Sequence, residues 1–219
     1  MAQRLEVAPG VILLAGHLDA QAQRALAAAA AAVIGAAPLY RPTMPGTGQP
    51  WSVRMTSCGP LGWVSDVAGY RYQPRHPETG APWPPIPQRL LALWEQATGY
   101  PAPPESCLVN FYGAGARMGL HRDADEAALD APVLSVSLGD EAVFRLGGLR
   151  RRDRTRSFRL RSGDVLLLGG ANRLAYHGID RVIAGTSPLL ETGGRINLTL
   201  RRVTEPARDG EGGNHGHGA

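Results

Sequence analysis

The 219-residue chain is long enough for one well-buried domain and too short for two comfortable ones. Hydrophobic residues at 43% and charged residues at 19%, with 28 Gly and 18 Pro, exclude a low-complexity chain and a helical bundle and favour a turn-rich, β-dominated body. A formal charge of +4 and a pI near 9.5 point to a polyanionic partner, because a basic face attracts phosphates by Coulomb steering and counterion release.

All 23 basic residues are arginines, which most simply reflects a biased genome and weakens any argument from arginine abundance alone. The terminal stretch sets Arg208 against Glu205, Asp209 and Glu211, so the positive charge belongs to the body. Cys58 and Cys107 lie far apart and match no zinc spacing, which argues against a disulfide framework and fits a reducing cytoplasm. The first apolar run, Val11 to Gly16, is too short for a membrane span and lacks a basic leader before it. No membrane partner is expected.

Asp19 then caps an alanine-rich helix through about Ile34, ended by Gly35 and Pro38, since its carboxylate accepts from free first-turn amides. Residues from about 40 to 86 are rich in Pro and Gly yet hold Trp51, Trp63, Tyr70, Tyr72 and Trp83, an aromatic share that suggests a covering lid. A second helix is expected from Pro87 to Thr98, where Leu90, Leu93, Trp94 and Ala97 recur at helical spacing before Gly99.

Short β-branched or alternating runs follow: Cys107–Tyr112, Val133–Leu138, Ala142–Leu146, Ser157–Leu160, Val165–Leu168 and Arg195–Arg201. Many short strands with Gly turns predict a mainly β, jelly-roll-like double sheet. Residues 1–203 are read as a single domain and 204–219, small and polar, as a disordered tail in which His215 and His217 are incidental.

In an extended stretch His121 and Asp123 share a face while Arg122 takes the other. His177 follows after enough chain for several strands to bring a third ligand back. Two imidazoles and a carboxylate on one side of a metal leave the opposite positions open, the arrangement of non-haem iron(II) oxygenases. Alone, the H-x-D pattern is weak, and a lone His is more simply a hydrogen-bonded structural residue. From Arg195 to Arg201 strict alternation puts Arg195, Asn197, Thr199 and Arg201 on one face. Taken by itself this is an edge strand with a solvated polar side; two arginines facing a cavity would instead bind a dicarboxylate bidentately. The stretch from Arg145 to Arg161 carries eight arginines and one acid, Asp153, so it either grips phosphates or is a solvated hairpin.

Together Asn110-Phe111-Tyr112, His121-x-Asp123-x-Asp125-Glu126, Ser135-Val136-Ser137-Leu138-Gly139, Gly147-Gly148-Leu149, Tyr176-His177-Gly178 and Arg195-x-Asn197-x-x-x-Arg201 resemble the bacterial AlkB family, in order and with compatible spacing from about Met55 to Arg202. The resemblance implies a double-stranded β-helix core with N-terminal helices and a nucleotide-recognition lid. It implies an enzyme that uses iron(II), 2-oxoglutarate and dioxygen to demethylate 1-methyladenine- and 3-methylcytosine-type bases, releasing formaldehyde, succinate and carbon dioxide. Matched by position, His121, Asp123 and His177 would hold iron; Asn110, Phe111, Tyr112, Arg195, Asn197 and Arg201 would line the 2-oxoglutarate site. Substrate contacts would fall on Trp63, Tyr70, Arg71, Tyr72, Asp125 and Arg151.

A monomer acting on alkylated DNA, preferably single-stranded, is the partner state implied, with RNA left open. Two departures from the enterobacterial form, Ala124 where a lysine is expected and Leu168 where a tryptophan is expected, bear on phosphate contacts and substrate range. The competing readings are a related hydroxylase of a protein or small molecule, and a nucleic-acid-binding module without catalysis.

Overall fold

A computed structural model describes residues 3–206, and its chain opens with a hairpin of β1 (Gln3–Ala8) and β2 (Val11–Ala15). The apolar run at Val11 is therefore a strand. Gly10 turns this hairpin at φ 75°, and a Cβ there would stand 2.2 Å from the Gly169 carbonyl, so only glycine lets the turn approach so closely. Helix α1 (Ala20–Ala36) is capped as expected: the Asp19 carboxylate accepts from the Ala22 N–H at 2.7 Å. Helix α2 (Gln88–Thr98) buries Leu90, Leu93 and Trp94 and ends on Gly99 in the left-handed conformation.

The larger sheet has the order β1-β2-β11-β8-β13-β6-β3, built from the first hairpin with β3 (Arg54–Cys58), β6 (Ser106–Tyr112), β8 (Val133–Gly139), β11 (Val165–Leu168) and β13 (Arg195–Arg201). The smaller sheet runs β10-β9-β12-β7, from β7 (Met118–His121), β9 (Glu141–Leu146), β10 (Arg156–Leu160) and β12 (His177–Ile183). All pairings are antiparallel, and the whole is the mainly β double sheet expected. Alternation divides each strand of the larger sheet. Leu134, Val136, Val165, Leu198 and Leu200 point outward to meet α1 and α2, while Val133, Leu166 and Leu168 point inward to meet Phe144, Leu146, Leu160 and Ile179 of the smaller sheet.

Three expectations change. β13 is a central strand between β8 and β6 and all seven of its residues are buried, so its polar face is not the solvated side of an edge. Within the stretch expected as lid, Arg54–Cys58 is a strand of the larger sheet; only the separate hairpin β4 (Gly62–Asp66) and β5 (Gly69–Gln73) stands apart from both sheets. Thr204, expected in the tail, is fixed by two hydrogen bonds to the Glu105 carboxylate, from its N–H at 2.7 Å and its hydroxyl at 2.8 Å, and the Val203 N–H adds a third at 3.0 Å. Residues 207–219 of that tail, with His215 and His217, lie outside the described residues. Among the described residues no helix is long and apolar enough to cross a membrane.

Candidate active site

His121 is the last residue of β7 and His177 the first of β12, and the two are directly opposed across that antiparallel pair. Their rings lie 4.5 Å apart between centroids. Asp123 comes not from an extended continuation of β7 but from the loop after it, which still returns the carboxylate to the histidines. Its Oδ1 is 3.9 Å from His121 Nε2 and its Oδ2 is 3.8 Å from His177 Nε2. One ligand atom from each of the three residues falls within 4.8 Å of the others.

Each imidazole is oriented for this. His121 Nδ1–H donates to the Gly119 carbonyl at 3.0 Å and His177 Nδ1–H to the Ala175 carbonyl at 2.9 Å. A carbonyl only accepts, so both protons sit on Nδ1 and both Nε2 lone pairs face the cluster. Burial, with His121 close by, pushes His177 down to about 4, so it is neutral at pH 7. Burial alone would raise the Asp123 carboxyl, but Arg201, His177, His121 and Arg173 together hold it well below the usual carboxylate range.

The cluster opens on a cavity of about 420 Å³ between the sheets. Asn110 and Tyr112 of β6 face it, as do Arg195, Asn197, Thr199 and Arg201 of β13, with Arg195 set opposite Tyr112 and Asn197 opposite Asn110. Arg195 is 1% exposed. Its Nη2 donates to Ser137 Oγ at 2.9 Å and its guanidinium lies 5.2 Å from the Tyr112 ring centroid, but Nε and Nη1 have no partner and no carboxylate pairs with it. Burial pushes the Arg195 guanidinium down and the Tyr112 phenol up to about 12, the latter against the pull of Arg195.

Arg201 is paired instead. Nη2 meets Asp123 Oδ1 at 3.0 Å, and Nε lies 3.4 Å from Glu126 Oε1. Asn197 is consumed by bonds to Ser135, Val136 and Thr199, whereas Asn110 keeps a free Oδ1 in the cavity.

Phe111 is not brought into the site. Its neighbours on β6 point inward, so it points outward, where it meets Leu189, Leu190 and Ile196 under the Arg54 guanidinium at 4.9 Å. Trp63 and Tyr70 do line the cavity mouth and stack on one another, with centroids 5.4 Å apart at 23°. Trp63 Nε1–H donates to Asp125 at 2.7 Å. Arg71 turns away from the cavity and bridges Asp66 at 2.8 Å and Gln73 at 3.0 Å. Tyr72 is half-buried and does not line the cavity, its hydroxyl resting on Glu126, and Arg151 stands outside the cavity with Nη1 on the Leu120 carbonyl at 2.9 Å.

Sequence reasoning missed Arg173. Only 4% exposed, it donates to the Asp123 carbonyl at 2.8 Å, the Ala131 carbonyl at 2.7 Å and Glu126 at 3.2 Å, tying the ligand-bearing loop in place. Its one signal was a lone arginine inside an otherwise apolar stretch before His177. Trp51, read only as one of the lid aromatics, meets the Trp63 ring edge-on at 5.9 Å and lines the cavity.

A double sheet that clasps two histidines, a carboxylate and an unpaired buried arginine defines a class, and the model of the 2OG-Fe(II) oxygenase superfamily matches residues 10–201: the chain belongs to that superfamily. Within it the chain is a member of the AlkB family, being 56% identical over 205 residues to the alpha-ketoglutarate-dependent dioxygenase AlkB homolog of Caulobacter vibrioides, covering 93% of this chain and 92% of that one. The solved structure of OsALKBH1 superposes with a TM-score of 0.81 at 30% identity, over 91% of this chain and 100% of that chain. A partial match, 43% identical over 45% of this chain and 24% of the other, is the DNA N(6)-methyladenine demethylase ALKBH1C of Arabidopsis thaliana.

Proposed function

We propose that this protein oxidatively demethylates N-alkylated bases in nucleic acid, with iron(II) held by His121, Asp123 and His177 and 2-oxoglutarate held through Arg195, Arg201, Asn110 and Tyr112. The observation that carries the reading is Arg195. A guanidinium buried to 1% exposure without a carboxylate is costly unless an anion completes it, and it faces the same cavity as the three ligand atoms. The donor set fits the metal: two Nε2 atoms turned toward the cluster, that of His177 on a neutral ring, and a carboxylate whose Oδ2 has no hydrogen-bond partner. When bound, iron(II) supplies the activation of dioxygen against 2-oxoglutarate that yields succinate, carbon dioxide and a hydroxylated methyl group.

The chain's own residues position and exclude. Arg195 keeps two nitrogens, Nε and Nη1, free of protein partners for the co-substrate, and Asn197 acts by fixing its neighbours rather than by reaching the ligand. Phe144, stacked on the His177 ring at 5.7 Å, keeps water from the histidine's flank. At the mouth, the lid function falls on the β4–β5 hairpin, whose Trp63–Tyr70 stack gives a base a π-face. Asp125 accepts from an exocyclic amine, and its charge suits adenine or cytosine made cationic by methylation on the pairing nitrogen.

Flipping a base out of the stack costs roughly a few kcal/mol and least where the base cannot pair, so single strands and lesions are preferred. The hydroxymethyl group left on a ring nitrogen collapses to formaldehyde and the restored base. The test is formaldehyde release from 1-methyladenine and 3-methylcytosine in single- and double-stranded DNA and RNA, with iron, 2-oxoglutarate and ascorbate, and with His121→Ala as the blank. Absence of co-substrate-dependent formaldehyde from every polymer overturns the reading. Succinate production indifferent to methylated nucleic acid would instead assign a protein or small-molecule hydroxylase.

A further inference from the structure

Asp140 is the single residue between β8 of the larger sheet and β9 of the smaller, and it is 2% exposed. Its carboxylate pairs with no cation among the described residues and accepts only from the loop that joins β12 to β13. The Thr186 N–H donates to Oδ1 at 2.9 Å, the Ser187 N–H to the same oxygen at 3.1 Å, and the Gly194 N–H to Oδ2 at 2.9 Å. The Asp140 N–H returns to the Gly194 carbonyl at 2.8 Å. One side chain thus ties together two places where the chain crosses between the sheets, from Gly139 to Glu141 and over 184–194.

The residue after Gly194 is Arg195. It opens β13 directly opposite Gly139, and its Nη2 rests on Ser137 of β8. At this corner the backbones come so close that a Cβ on Gly139 would stand 2.5 Å from the Gly194 carbonyl. Gly139 and Gly194 take left-handed angles, φ 85° and 86°. Glycine permits such an approach but does not hold it, since it has the most backbone freedom to lose on folding. What holds it is the Asp140 carboxylate, an acceptor-only group that serves three N–H donors on two oxygens.

We infer that Asp140 is a positioning residue for the co-substrate: by fixing Gly194 it sets the backbone from which the Arg195 guanidinium reaches into the cavity. The inference rests on Arg195 holding 2-oxoglutarate. A guanidinium grips a carboxylate well only over a narrow range of placements, so a drift of the first residue of β13 lowers affinity while every ligand contact made elsewhere stays intact. His121, Asp123 and His177 take no part in these hydrogen bonds, which makes iron(II) affinity a separate readout.

The test is calorimetry of 2-oxoglutarate added under nitrogen to the full chain loaded with iron(II), in Asp140→Ala and in the isosteric Asp140→Asn, whose amide nitrogen opposes at least one of the three N–H donors. Hydrogen exchange is followed on the metal-free chain. Both variants are expected to weaken 2-oxoglutarate binding about 5- to 20-fold, with iron(II) affinity within about twofold of the wild type. Exchange is expected to quicken at Thr186, Ser187 and Gly194 and not in α2. Added to Arg195→Met, Asp140→Asn is expected to weaken the co-substrate no further, because it acts only through that guanidinium. Four results each overturn the inference: wild-type 2-oxoglutarate affinity in both variants, a parallel loss of iron(II) affinity, wild-type exchange in the loop, or an undiminished effect beside Arg195→Met. No methylated polymer enters these measurements. A chain that behaves as expected yet releases no formaldehyde from methylated DNA or RNA keeps the Asp140 assignment and loses the demethylase reading.

Discussion

Arg195 and Arg201 lie on the same face of one strand, yet their surroundings give them opposite roles. Arg201 neutralises Asp123 and Glu126, so Arg201→Met leaves buried carboxylates uncompensated and is expected to cost about 3–5 kcal/mol of unfolding free energy. Arg195 has no carboxylate partner, and Arg195→Met removes a buried unpaired cation. Its unfolding free energy in denaturant is expected to equal or exceed that of the wild type, while the KM for 2-oxoglutarate rises about 10- to 100-fold, the worth of a charge-assisted hydrogen bond. A large stability loss in Arg195→Met with an unchanged KM would make it a structural residue. Alternation in the sequence placed both arginines on one face but said nothing of their partners, because Asp123 and Glu126 reach Arg201 only through the fold. The same alternation bars Phe111 from a site that admits Asn110 and Tyr112, and a motif taken as a block concealed this.

Elements bring the histidines together, and the join is tight. Gly178, next to His177 on β12, approaches β7 so closely that a Cβ would meet the Met118 and Gly119 carbonyls at 2.6 and 2.8 Å. Gly178→Ala must push β12 from β7 and part His177 from His121, and strain of about 1–3 kcal/mol corresponds to roughly a 5- to 150-fold loss of iron(II) affinity. Titration with iron(II) alongside far-UV circular dichroism checks this: wild-type affinity with native signal would contradict it. At the N-terminal helix, Asp19→Ala is expected to cost about 1 kcal/mol through the lost cap, with no change in iron(II) affinity. That cap was legible because it is local: one side chain and an amide three residues on. The strands β7 and β12 were not, since β7 is four residues long and His177 opens a strand whose register shifts at Ile179, so neither offers a clean period of two. β13 read correctly in extent but its place, solvated edge or cavity wall, stayed open, because position within a sheet depends on partners far along the chain.

Across the whole molecule the two halves of the site belong to different sheets. The histidines stand on β7 and β12 of the smaller sheet, while Asn110, Tyr112, Arg195 and Arg201 stand on β6 and β13 of the larger. Asp123, paired with Arg201, links them at the ligand cluster, and the Tyr112 hydroxyl meets Met118 Sδ of β7 at 3.8 Å beside it. Under the proposed assignment, iron(II) held by His121, Asp123 and His177 would tighten chiefly the smaller sheet and its loop, whereas a co-substrate that Arg195 helps to hold would staple one sheet to the other. Ligand at about 100 times its Kd adds about 2.7 kcal/mol to the folded state, which for a domain of this size raises Tm by roughly 5–10 °C. Hydrogen exchange distinguishes the two steps. Iron(II) alone is expected to slow exchange in β7 and β12, and 2-oxoglutarate added under nitrogen to extend the protection to β6 and β13; in Arg195→Met the second step is lost while the first remains. Protection of both sheets by the metal alone would mean that Asp123 already couples them, and that the co-substrate is not the staple.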